Sequence, residues 1–158
     1  MKLKHLTLTA MFTALCAVGG LVKIPLGIGS TALDSAPALL AAAFLPPIFS
    51  GTAALLGHIA SAMYSGFPLG PFHLLIALEM FVIVLIFARL HKAKKTVLKW
   101  IVFIGANGIL APLPFYFLIS PAFFIAAVPP IFIASVINAM IVAIIFPALK
   151  PVKGKGLG

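Results

Sequence analysis

The sequence predicts an all-α integral membrane protein, a bundle of six transmembrane helices with both termini in the cytoplasm, and three observations carry that prediction. Of the 158 residues, 63% are hydrophobic and 8% charged, where a soluble domain of this size carries roughly a quarter charged residues. Mean hydropathy is +1.27, and so few charges cannot cover a water-facing surface. The third observation is where the charges fall. The net charge of +9 would suit nucleic acid, yet the basic residues form short clusters between long apolar runs rather than a polar face.

A spanning helix needs about 20 apolar residues, and loop signals cut the chain into six candidates. The first covers roughly 6–23 and is read as a membrane helix rather than a signal peptide, because every later segment is as apolar. A loop with Pro25, Gly27 and Gly29 follows over 24–31. The second helix, roughly 32–44, is short for a span, and Pro37 suits its first turn. Pro46-Pro47 makes a tight turn into the third, roughly 48–64, which ends at the breaker Gly66-Phe67-Pro68-Leu69-Gly70-Pro71. The fourth covers roughly 72–90, the basic stretch 91–99 is a loop, and the fifth covers roughly 100–118. Residues 120–130 read as a proline-interrupted connection to the sixth helix, roughly 131–149. The whole chain, 1–158, is one transmembrane domain on this reading.

Charge tests the layout. With both ends inside, the inner elements and adjoining helix ends hold ten of the eleven Lys and Arg: Lys2, Lys4, Arg89, Lys92, Lys94, Lys95, Lys99, Lys150, Lys153 and Lys155. Lys23 alone lies outside, so the positive-inside rule is nearly fully obeyed. Five or seven spans would place a terminal cluster outside. The lone cysteine, Cys16, lies inside the first apolar run and cannot form an internal disulfide.

Polar side chains at membrane depth are costly, and each is a functional candidate. The chain has two acids. Asp34 starts the second helix, where the plain alternative is an N-terminal cap. Glu79 lies about 10 Å along the fourth helix from its start, where the plain alternative is a bond to His or Asn on a neighbouring helix. His58 and His73 can pair with these acids. A metal is not expected, for the spacing offers no His-x-x-x-His and no thiolate support. Asn107 and Asn138 fall near mid-membrane, where Asn commonly joins helices. Tyr64, Phe67, Phe72, Phe115 and Tyr116 are interfacial aromatics, and those on the outer side can stack on a flat ligand; Trp100 is read as an inner anchor. Asp34, Ser35, Tyr64, Ser65, His73 and Glu79 all fall in the outer half, which suits a pocket open to the outside better than a continuous ion path.

Helix 1 carries Ala10 and Ala14 four residues apart, a flat strip that another helix can approach closely. Six helices in under 200 residues, this strip and the long loop after helix 1 resemble the S components of energy-coupling factor (ECF) transporters, membrane subunits that capture vitamins. The resemblance covers essentially the whole chain. It implies an outer pocket built from the first and third loops and helices 4 to 6. It further implies a ligand-binding Asn in helix 6 (Asn138), and docking of Ala10 and Ala14 on a transmembrane coupling subunit that sits on two cytoplasmic ATPases in the bacterial cell membrane. Within the family, Ala32-Leu33-Asp34-Ser35-Ala36-Pro37-Ala38-Leu39, Leu56-Gly57-His58, Gly66-Phe67-Pro68-Leu69-Gly70-Pro71-Phe72-His73 and Ala77-Leu78-Glu79-Met80 are similar to the alpha-ribazole transporters, which salvage a cobalamin precursor. The substrate-binding residues expected are therefore Asp34, Ser35, His58, Tyr64, Phe67, His73, Glu79, Asn107, Phe115 and Asn138. No catalytic residue, metal or cofactor is expected, and the chain has no Gly-x-x-x-x-Gly-Lys-Ser/Thr pattern for ATP. Three rivals differ in class: a proton-driven carrier acting alone, an intramembrane enzyme using His58, His73 and Glu79, and a purely structural subunit.

Overall fold

The computed structural model describes residues 2–25 and 30–149. Gly27, Gly29 and the tail lysines Lys150, Lys153 and Lys155 lie outside the described residues. In chain order the elements are α1 (Lys2–Leu21), β1 (Lys23–Pro25), β2 (Ser30–Ala32), α2 (Ser35–Ala41), α3 (Pro47–Tyr64), α4 (Phe72–Lys92), α5 (Leu98–Gly105), a π-helical segment (Ala106–Leu110), α6 (Leu113–Leu118) and α7 (Pro121–Ala148). Four helical stretches are long and apolar enough to cross a membrane: Leu3–Leu21, Phe72–Lys92, Leu98–Leu118 and Pro121–Ala148. The all-α class therefore stands, with one addition. The residues after α1 are not all loop: β1 and β2 pair antiparallel, Lys23 opposite Ala32 and Pro25 opposite Ser30.

The helix ends follow local rules. Pro47 opens α3 at its first turn. That helix closes on a Schellman motif, in which the N–H of Phe67 reaches the carbonyl of Ala62 at 2.9 Å and the N–H of Gly66 reaches that of Met63 at 3.1 Å. Gly66 has φ +74 there, the left-handed conformation that glycine adopts without a Cβ penalty. The same motif closes α4: the N–H of Lys95 reaches the carbonyl of Leu90 at 2.9 Å and that of Lys94 reaches His91 at 3.1 Å.

Three boundaries depart from the expectation. The second helix is only the seven residues of α2, about 10 Å long, too short for helix alone to cross the hydrocarbon. It is instead buried: Ala38, Leu39 and Ala41 are wholly shut from solvent. The fifth helix is broken. Pro112 lacks an N–H and crowds the carbonyl four residues back; just before it the ladder widens, with Ala111 N–H bonding Ala106 at 2.8 Å. The sixth helix begins ten residues earlier than its expected start, because Ser120-Pro121 is a start signal rather than a break. The Ser120 hydroxyl accepts from the N–H of Phe123 at 3.1 Å, and Pro121 fills the first helical position. Pro129 and Pro130 lie inside α7, as membrane helices tolerate.

Close packing of α1 on α3 depends on missing Cβ atoms. A Cβ on Gly57 would overlap the Cys16 side chain, and one on Gly20 would overlap the Ser61 side chain. Gly57→Val should therefore lower stability by about 1–3 kcal/mol, read as a lower melting temperature in detergent, and adding Cys16→Ala should recover part of the loss.

Candidate functional site

Where α2, α3, α4, the π-helical segment and α7 meet, a cavity of about 270 Å³ opens. The three-residue ladder of β1 and β2 and the short α2 bring Asp34 and Ser35 to its rim. Helical spacing on α3 presents His58, Ser61, Ala62 and Ser65, α4 presents His73, Ile76 and Met80, and α7 presents Ile131, Ala134 and Asn138, with Asn107 reaching in from the π segment.

The polar groups form a directed chain of hydrogen bonds. The N–H of Leu69 donates to His73 Nε2 at 3.4 Å. With neutral rings, that acceptor puts the His73 proton on Nδ1, which lies 3.2 Å from His58 Nε2. His58 then carries its own proton on Nδ1, 3.3 Å from Asp34 Oδ2. The Ser35 hydroxyl donates to Asp34 Oδ1 at 3.2 Å. Each imidazole nitrogen thus has one partner, and the backbone N–H of Leu69 sets both tautomers. Every bond points its donor toward the Asp34 carboxylate, so the anion collects the partial positive charge of the series.

Asp34 occupies the cap position of α2 but does not cap it. Its backbone is already helical, and its side chain makes no capping bond. The cap comes from across the bundle: Asn138 Oδ1 accepts from the N–H of Ala36 at 2.7 Å. Its amide donates to Ala134 O at 2.8 Å and Ala32 O at 3.4 Å, and the residue is 2% exposed. Asn107 is less committed, with one donor to Ser135 Oγ at 2.7 Å and no bond to its Oδ1 among the described residues.

The expected site residues therefore divide. Asp34, Ser35, His58, His73, Asn107 and Asn138 converge on the cavity. Tyr64 ends α3 and is largely exposed, while Phe115 is buried between Phe72 and Phe123. Phe67 stands beside the cavity, its ring centre 5.7 Å from that of His73 in an edge-on arrangement, with φ +49. Glu79 is half-buried on α4, its Oε2 closed to solvent without a hydrogen-bond partner among the described residues. The third titratable partner of His58 and His73 is thus Asp34 rather than Glu79. Ser61 and Met80 are not among the expected residues, and Ser65 is expected only as a polar residue of the outer half; their spacing with His58 and His73 on α3 and α4 is the signal for them. Among the described residues no group of three or more His, Cys, Asp or Glu is placed to hold a metal.

The family described as ECF transporter, substrate-specific component, matches residues 4–150. The chain belongs to that family. A solved S component of a bacterial ECF transporter superposes with a TM-score of 0.75, at 18% identity, over 96% of this chain and 98% of the other, which fixes the shared fold. A search of curated proteins by sequence finds no match. As an S component, the chain is a substrate-binding subunit of a transporter and not an enzyme. Ala10 and Ala14 stand on an exposed face of α1, turned away from the cavity-lining helices.

Proposed function

We propose that this S component captures a neutral heteroaromatic nucleoside-like vitamin precursor, with alpha-ribazole as the leading candidate, and delivers it through an ATP-driven coupling module. The observation that carries the reading is the cavity that joins the Asp34–His58–His73 chain to Asn107 and the apolar Ile76, Met80 and Ile131. Its volume is near the lower end of small-molecule sites, roughly 300 Å³, which suits one base and one sugar. The Asp34 carboxylate has free lone pairs for ribose hydroxyls, and Asn107 Oδ1 and Phe67 flank a place for a flat base. The local likeness of the Asp34, His58 and Glu79 segments to alpha-ribazole transporters supports the same choice.

Binding is proposed from outside the cell, with both termini in the cytoplasm, an orientation that the lysine distribution supports. Delivery follows when the subunit tips in the membrane against a coupling subunit carried on two ATPases, docked at Ala10 and Ala14. Calorimetry of the detergent-solubilised protein against alpha-ribazole, dimethylbenzimidazole, thiamine, pyridoxine and riboflavin tests the substrate. Saturable binding of alpha-ribazole alone is expected; preference for another compound would replace it, and no binding at all would remove this cavity as the capture site. Ala14→Trp should cut uptake in cells with the full transporter at least tenfold and leave ligand affinity within twofold. Equal loss of both would make the strip internal packing.

The Asp34–His58–His73 chain also favours a second reading, a proton-linked carrier working alone. Transport by this chain by itself in proteoliposomes, responding to a pH gradient, would select it.

A further inference from the structure

A second and larger cavity, about 660 Å³, lies where α4 ends, α5 begins and α7 finishes. Its wall carries Lys92, Lys94, Lys95 and Lys99 together with His91 and Trp100. It is distinct from the capture cavity: along α4, Lys92 stands 19 residues beyond His73, on the order of 30 Å.

Lys99 is the unusual member. It is 7% exposed, and its Nζ lies 4.4 Å from the ring centre of Phe146, 4.5 Å from that of Trp100 and 5.6 Å from that of Phe87. Among the described residues it donates one hydrogen bond, to His91 Nδ1 at 3.0 Å. The ring faces offset part of the cost of burying an ammonium, but a buried cation ordinarily has an anion beside it. This chain cannot supply one from its acidic side chains. Asp34 lines the other cavity, and Glu79 is 13 residues before Lys92 on α4, about 20 Å away. Four lysines thus surround a concave space with no carboxylate side chain, and an ammonium with three donors has spent one on His91.

We infer that this basic cavity is a binding site for a phosphate-bearing anion, supplied by the headgroup of an anionic phospholipid. The lipid source is favoured by what adjoins the cavity. Val97 and Ile101 beside Lys99, and Ile144 beside the cavity-lining Ala143, are 66%, 62% and 74% exposed. They offer an apolar surface for acyl chains next to the cationic wall. Basic pockets between membrane helices bind acidic headgroups for the same reason, a surface charge held within a Debye length of the phosphate.

Trp100 lines the cavity and is the sole tryptophan, so its fluorescence reports on this site directly. The purified full chain is titrated with short-chain phosphatidylglycerol, with the matching phosphatidylcholine, and with inorganic phosphate. A saturable change is expected with phosphatidylglycerol and not with phosphatidylcholine. The exposed pair Lys92→Gln with Lys95→Gln should weaken it on the order of tenfold, and Lys99→Gln should do so while leaving Trp100 in place as reporter. The same lysine-dependent response to inorganic phosphate at comparable concentration would uphold an anion site but overturn the lipid as its source. A response to phosphatidylcholine equal to that of phosphatidylglycerol, or one indifferent to the lysine changes, would overturn the site. None of these readouts involves the capture cavity, so the result stands apart from the identity of the transported solute.

Discussion

Asn138→Ala should be the most destabilising single change in the capture cavity. The substitution leaves the N–H of Ala36 buried with no acceptor, since Asn138 Oδ1 supplies its bond at 2.7 Å. An orphaned buried donor costs about 1–3 kcal/mol. The lost amide donors to Ala134 and Ala32 and the space left by a 2% exposed side chain add to it, for about 3 kcal/mol in all. For a chain of this size that is a fall of about 6–12 °C in melting temperature, measurable by thermal unfolding in detergent. Ligand binding should fail with it, because α2 carries Asp34 and Ser35 and would lose its attachment to α7. A variant with unchanged melting temperature and abolished binding would return Asn138 to direct contact with ligand.

Asp34→Asn should have the largest effect on affinity without a comparable loss of stability. The amide keeps the shape, and its carbonyl can still accept from His58 Nδ1 while the Ser35 hydroxyl reorients. What disappears is the charge at the end of the hydrogen-bond series. Charge-assisted bonds contribute about 1.5–3 kcal/mol, so binding of a hydroxyl-bearing ligand should weaken about 10- to 100-fold by calorimetry. Unchanged affinity would reduce Asp34 to a support for His58.

Much of this was legible in the sequence, and the failures share a cause. Apolar runs and lysine clusters are properties of solvent and charge, and they located α1, α3 and α4 to within a few residues. Proline was the trouble. Read only as a breaker, it hid the start of α7, where Ser120 and Pro121 together form a start signal. Read too leniently at Pro112, it let the fifth helix run unbroken. For the site, the sequence brought His58 and His73 forward as candidates because histidine at membrane depth is expensive. It could not assign the cap of α2. A carboxylate at a helix start suggests a local cap, whereas here the acceptor is Asn138, 102 residues away, and the carboxylate is turned to a histidine 24 residues on. Contacts of that separation have no local sequence signature. The aromatic residues show a related gap: Phe115 and Tyr64 share a composition cue, yet one is buried and the other exposed.

The shortness of α2 has an electrical consequence. Its first residue, Ser35, lines the capture cavity, and Ala42 and Ala43 just beyond its last turn line the basic one. Two turns of helix, about 10 Å, therefore separate two solvent-reaching hollows in a bilayer whose hydrocarbon is about 30 Å thick. The partition is sealed by Ala38, Leu39, Ala41 and Leu45, none of them exposed, so it insulates although it is thin. With water in both hollows, a transmembrane voltage drops mainly across this stretch, at about 2.3 kcal/mol per elementary charge per 100 mV for the full drop. A charged cargo carried across by tipping would exchange that work with the field; an uncharged one would not.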